Sequence, residues 1–434
     1  MLRIVALLVL LASAVSAQDA PVTLDAQAPR RADQPRNVVL MIADGFGPAS
    51  STLGAAAKGA PLAFDSLIVG SVETSSHDSR VTDSAAGATA YACGIKTYNG
   101  AIAVDSAGTP CRTVLEAAEE AGLTTGLVAT SRITHATPAS FAAHVEARAG
   151  EAEIARQLAA SGVDLLFGGG ARFFDPETDA ALAARGVRLV RDRSGYDAIT
   201  SLPAAALLAP DHLAYEVDRD ETDQPSLAEM TTRALGLLAE AAGDDGFFLM
   251  IEGSRIDHAA HGNDPVGHLG DILAYDEAVA AALAWAAVDG NTLVVSTADH
   301  ETGGMTLGRD GIYRWDPAPL LRATASFEAM RARISAGEDP AETVRVGLGY
   351  DALPEGAAEA IRGAAAARDD AATMALLDEL VSAPAGIGWT TGGHTAVDVG
   401  LYAYGPGASR FEGRMANDAV GRALFEALGL SVDG

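Results

Sequence analysis

Lysine is almost missing. Of the 30 basic residues only Lys58 and Lys96 are lysine, against 58 acidic residues and a formal net charge of -28. Such acidity excludes nucleic acid and anionic membranes as partners, since both attract basic surface. It also repels anionic substrates at long range, so a phosphate site has to supply its own local positive charge, as metal ions do. Acidic, lysine-poor surfaces suit salty water, while a GC-rich genome also replaces Lys by Arg. Long apolar runs are missing too. Beyond residues 4–11 no stretch approaches the roughly 18 uninterrupted apolar residues of a membrane span. That first run follows Arg3 and precedes Val15-Ser16-Ala17, so residues 1–17 are expected to be a signal peptide of a periplasmic or secreted protein. Its removal takes one Arg, and the charge from -28 to -29. The chain has 2 cysteines; in an oxidising compartment Cys93 and Cys111 can pair or remain buried thiols, and spacing leaves both open. The run Gly168-Gly169-Gly170 lacks the lysine and Ser/Thr of a phosphate-binding loop and reads as a tight strand exit. No internal repeat or low-complexity tract is evident.

What is present is an alternation. Residues 18–36 are a polar, aperiodic lead-in. Short apolar runs at 37–43, 125–129, 163–167, 247–251, 292–296 and 399–403 read as buried strands. Helical patterns lie around 50–59, 84–93, 113–121, 142–148, 151–160 and 276–287. The expected fold is α/β: a large central, mostly parallel β-sheet with helices on both faces, formed by residues 37–434. Ala-rich helical segments at 327–335, 357–367 and 371–381 suggest a helical insertion, about 306–388, over the mouth of the active site. In such sheets sites lie beyond the carboxyl ends of the strands, and Asp44, Thr137, Glu252 and Asp299 fall there.

The central stretch is Val81-Thr82-Asp83-Ser84-Ala85-Ala86-Gly87. Thr82 or Asp83 reads as a helix cap with Ser84 in the first turn, where unpaired N–H groups and the helix dipole favour an alkoxide or a phosphate. Asp257 and His261 are four apart and share a helical face. Asp299 and His300 are adjacent, and His394 lies on a Gly-rich loop. Counting ligand types gives Asp, His and His for one mixed imidazole–carboxylate set, and Asp, Asp and His with the Ser84 oxygen for another. Both suit zinc. Asp44, Thr137 and Glu252 offer only oxygen, which suits magnesium. His77, His144, His212 and His268 show no partner pattern and read as structural or surface residues.

Together with HATP, AHVEAR, TADHETGG and GGHT, these motifs resemble those of the alkaline phosphatases, in order from about Asn37 to Ala427. The resemblance implies Ser84 as nucleophile, Arg148 as the phosphate-holding arginine (Arg156 being a rival), one zinc ion on Asp257, His261 and His394, a second on Asp44, Asp299, His300 and Ser84, one magnesium ion on Asp44, Thr137 and Glu252, and a homodimer. His135 and His258 match positions that vary in the family; a His near magnesium is expected to act through bound water. Asp83 adjoins the nucleophile. The implied activity is hydrolysis of phosphate monoesters through a phosphoserine, two metals about 4 Å apart stabilising attacking and leaving oxygens. The alternative is a metallo-phosphodiesterase or sulfatase of the same superfamily.

Overall fold

In chain order the first eight strands are Asn37–Ala43 (β1), Ile68–Glu73 (β2), Thr124–Arg132 (β3), Leu165–Gly169 (β4), Arg188–Val190 (β5), Ala204–Leu207 (β6), Phe247–Gly253 (β7) and Thr292–Thr297 (β8). With Val399–Tyr404 and Gly413–Ala416 they form one ten-stranded sheet. Its order is Gly413–Ala416, β2, Val399–Tyr404, β8, β1, β7, β3, β4, β6, β5. Only Val399–Tyr404 runs against its neighbours β8 and β2. β1, β7 and β8 are mostly apolar and are buried at every position, which requires cover on both faces. The helices Pro265–Asp289 and Asn417–Leu428 both pack against β1. The mostly parallel α/β sheet is therefore as expected. This is a computed structural model describing residues 34–432; the expected signal peptide lies outside the described residues. No described helix is long and apolar enough to cross a membrane.

One expected helix is not there. Residues 142–148 run as an irregular segment in which Val145 and Ile102 exchange backbone hydrogen bonds of 3.0 Å in both directions. Cross-chain pairing thus overrides Ala-rich helix propensity, which is a weak preference. The expected helix at 276–287 is the second half of the 25-residue helix Pro265–Asp289, capped by Asp264 through Val266 N and Gly267 N.

Thr306–Leu307 pairs antiparallel with Ile387–Gly388, closing the base of the segment that carries the helices Phe327–Ser335, Ala357–Ala367 and Asp370–Ala385. This segment reaches back to the main body. Asp264 Oδ2 accepts from Phe327 N at 2.7 Å, and Arg255 donates to Glu328 at 3.0 Å.

Cys93 and Cys111 form a disulfide, their Cα atoms 6.0 Å apart. It ties the end of the helix Ser84–Cys93 to the chain just before the helix Val114–Glu120. Closing a loop of this length in the unfolded chain stabilises by about 2–4 kcal/mol. Replacing both cysteines by serine is expected to lower the melting temperature accordingly; an unchanged melting curve would contradict that.

Candidate active site

Ser84 opens the helix Ser84–Cys93 and is 1% exposed. Asp83 is the cap: Oδ1 accepts from Ala86 N and Gly100 N, both at 3.0 Å. Oδ2 accepts from Arg148 Nη1 at 3.0 Å, so one carboxylate fixes both the helix start and the arginine. Arg148 Nη2 lies 3.2 Å from His135 Nε2. The helix approaches the sheet closely through Gly87, where a Cβ would stand 3.2 Å from Asp299 Cβ.

Three side-chain groups gather at the carboxyl end of the central strands. Asp257, His261 and His394 bring donor atoms within 4.8 Å of one another, as do Asp44, Asp299 and His300, and Asp44, His135 and Glu252. Asp44 follows β1, Glu252 lies in β7 and Asp299 follows β8. Asp257 and His261 share the helix Arg255–His261. Gly45, at φ +74°, turns the chain after Asp44; a Cβ there would come within 2.8 Å of Asp257 Cα. Ser84 Oγ is 3.2 Å from His300 Nε2. His300 Nε2 in turn lies 3.3 Å from Asp299 Oδ2 and 3.6 Å from Asp44 Oδ1.

The site is built for charge that the protein does not itself supply. Fourteen buried side-chain polar atoms among the described residues have no hydrogen-bond partner, and six are here: both Asp44 oxygens, Glu252 Oε1, Asp299 Oδ2, Thr137 Oγ1 and His135 Nδ1. Such atoms are costly unless something satisfies them. Burial, reinforced by Asp299, Asp257 and Glu252, holds the Asp44 carboxyl well above its usual range. Burial pushes Glu252 up to about 7 and, with Asp257 and Glu252 alongside, Asp299 up to about 8. His300 is driven the other way by burial and then by His394 and His261. Crowded carboxylates together with neutral imidazoles are the donor set of divalent cations, and the orphaned atoms fit them.

The sequence model of the alkaline phosphatase family matches residues 35–430. The chain belongs to the alkaline phosphatase family. The phosphatase is 38% identical to the alkaline phosphatase of Schizosaccharomyces pombe, over 92% of this chain and 82% of that one. The solved structure of the cold-active alkaline phosphatase from a psychrophilic Shewanella superposes with a TM-score of 0.85 at 32% identity, covering 90% of this chain and 99% of that one. A variant of the TAB5 alkaline phosphatase, solved with magnesium in its M3 site, superposes at 0.69 with 29% identity, over 92% and 100% of the two chains. The protein is thus a phosphatase of a family that works with divalent metal ions.

The site residues singled out in the sequence of this phosphatase come to the same end of the sheet. His135, expected near the magnesium group, has a ring nitrogen within 4.8 Å of oxygens of Asp44 and Glu252. His212, read as structural or surface, instead packs on the site: its ring centroid is 4.3 Å from His258 and 5.5 Å from His135. A loop remote in sequence brings it there, and no local signal marks it. Arg156 pairs with Glu153 on an exposed helix face. Sequence reasoning passed over Ser131, whose hydroxyl donates to Glu252 Oε2 at 3.2 Å, and Thr302.

Proposed function

We propose that the phosphatase hydrolyses phosphate monoesters through a phosphoserine on Ser84, with two zinc ions and one magnesium ion. The carrying observation is Ser84 Oγ at a helix N-terminus, beside the Asp44, Asp299 and His300 group and within the reach of an arginine already oriented by Asp83. Asp257, His261 and His394 would hold one zinc, and Asp44, Asp299, His300 and Ser84 the other. Asp44, Thr137 and Glu252 would hold magnesium, the ion that an all-oxygen set suits. When bound, the ions supply the positive charge that stabilises both the attacking and the leaving oxygen of an in-line displacement.

Ser84 Oγ forms the new P–O bond as the ester oxygen leaves with a proton. Backbone N–H groups at the helix start face the oxygen that attacks. Arg148 presents a planar fork to two phosphoryl oxygens, and its bond to Asp83 keeps that fork aimed. Water then attacks phosphorus, releases inorganic phosphate and restores the serine hydroxyl. His258 packs on His212, with ring centroids 4.3 Å apart, and its Nδ1 lies 3.3 Å from Arg255 Nη1.

Replacing Arg148 by alanine is expected to lower kcat/KM roughly 10- to 200-fold, the loss of charge-assisted hydrogen bonds of about 1.5–3 kcal/mol. Metal content should not change. Equal kcat/KM in the variant would remove Arg148 from the phosphoryl site.

The disulfide supports export to an oxidising compartment, periplasmic or extracellular. We read the chain as a homodimer enclosing residues 37–434 as one domain, with 306–388 inserted beside the site; a monomeric mass in solution overturns the dimer. The deciding assay is phosphate release from para-nitrophenyl phosphate between pH 7 and 10, beside a bis-aryl phosphate, with metals measured on the same sample. Faster monoester turnover with two zinc and one magnesium per chain supports the proposal. Faster diester turnover favours the phosphodiesterase alternative.

A further inference from the structure

We propose that the Thr302 hydroxyl is a positioning group that fixes the His300 ring and the Asp257 carboxylate together, and so locks the two zinc groups to each other. The inference rests on the zinc reading above. Each of the three histidines in those groups has its Nδ1 against an oxygen. His261 Nδ1 is 2.7 Å from Gly392 O, and His394 Nδ1 is 2.8 Å from Thr82 O. Carbonyl oxygens only accept, so both Nδ1 atoms carry the proton and both Nε2 atoms present a lone pair. These two rings indeed turn Nε2 toward each other and toward Asp257, 3.1 Å apart. His300 is the exception, since its Nδ1 meets a side chain, Thr302 Oγ1, at 3.2 Å.

A hydroxyl could serve that nitrogen as donor or acceptor, and the second contact decides. Thr302 Oγ1 lies 2.6 Å from Asp257 Oδ1, to which it donates. A hydroxyl has one proton. With that proton on Asp257, Thr302 can only accept from His300 Nδ1–H. His300 Nε2 then has its lone pair free and aimed at Ser84 Oγ, Asp299 and Asp44. Thr302 therefore does for His300 what two backbone carbonyls do for the other rings, and it also holds a carboxylate of the opposite group. Its hydroxyl is a hydrogen-bonded side-chain link between the two groups, beside the stacked rings of His300 and His394, whose centroids are 3.5 Å apart.

The backbone holds the hydroxyl still. Thr302 is 1% exposed, its N–H donates to Gly45 O at 3.1 Å, and its Cα pairs with that of His394. None of these backbone ties involves the side chain, so Thr302→Val removes the two hydroxyl contacts at nearly constant volume. Thr302→Ser keeps them.

The test is zinc affinity, measured by competition with a chromophoric chelator on folded protein and by zinc per chain after dialysis. Thr302→Val is expected to weaken both zinc ions by about 10- to 100-fold, the usual effect of removing a group that orients metal ligands. Thr302→Ser should stay near wild type. Should the valine variant not fold, Thr302→Ala carries the same expectation. Wild-type affinity for both ions in the valine or alanine variant overturns the inference. An equal loss in Thr302→Ser overturns it as well, because packing would then be the cause. A wild-type chain that binds no zinc fails at the earlier step and overturns the metal reading itself.

Discussion

Ser84→Ala lowers phosphate release by roughly 10³- to 10⁶-fold, the range seen when a catalytic nucleophile is removed. Uncatalysed monoester hydrolysis is among the slowest of reactions, requiring acceleration of up to about 10²¹-fold. Arg148 and whatever the buried acids hold would remain in the variant, so activity need not fall to the background. The covalent intermediate does vanish. Asp44, Asp299 and His300 keep their places without Ser84, since Asp299 Oδ1 is held by Gly45 N at 3.3 Å and His300 N at 3.0 Å. Bound metal should therefore stay nearly intact. Rapid quenching followed by intact-mass measurement distinguishes the possibilities: wild type shows a phosphorylated chain at low pH, and the variant does not. A phosphorylated variant, or one with wild-type turnover, would mean that another residue is the nucleophile.

Much of this site can be read in the sequence because its parts sit where local chemistry leaves marks. β1, β7 and β8 are short, mostly apolar runs whose length and bounding turn residues read as strands buried on both faces. The acids that end them, Asp44, Glu252 and Asp299, stand out against that apolar background. Spacing of four puts Asp257 and His261 on one helical face, which the helix Arg255–His261 bears out. What escapes notice lacks such contrast. β5 has three residues and β2 is partly exposed, so neither carries a buried-strand pattern. The helix Leu227–Ala242 was passed over although Ser226 and Glu229 form a capping box, a legible signal. Residues 142–148 misled because pairing with Ile102 is non-local. Thr302, two positions from His300, is on the same side of an extended chain, but a threonine among stronger ligands draws no attention. His212 could be placed only by the fold.

Stripping the metals exposes a contribution to stability that falls as pH rises. Folding buries Glu252 with a carboxyl near pH 7 and Asp299 with one near 8, from ordinary values of 4.5 and 3.8. Both are raised, so between about pH 4 and 8 the metal-free native state binds protons that the unfolded chain has released. The contribution of these two carboxyls to the stability of the stripped protein is then greatest at low pH, falls as pH rises through that window, and levels off above it, while His135, His258 and His300, held neutral by burial, contribute in the opposite direction below their ordinary value of 6.5. Each tenfold difference in proton affinity corresponds to about 1.4 kcal/mol, and the two carboxyls act on one cluster, so the whole fall amounts to several kcal/mol. Cations bind the deprotonated carboxylates and neutral imidazoles, so the loaded protein should instead gain stability toward pH 8. The check is thermal unfolding of chelator-treated and metal-loaded protein at pH 5 and pH 8, with Glu252→Gln/Asp299→Asn as control. Relative to the double variant, the stripped wild type should lose stability between pH 5 and pH 8. At pH 8 the double variant should melt above the stripped wild type, although it can no longer hold its metals well. A double variant with the same slope between pH 5 and pH 8 as the stripped wild type would place the origin of the site's electrostatic strain elsewhere. The opposite result in the loaded protein, a fall toward pH 8, would mean that cations are not what these buried acids were gathered to hold.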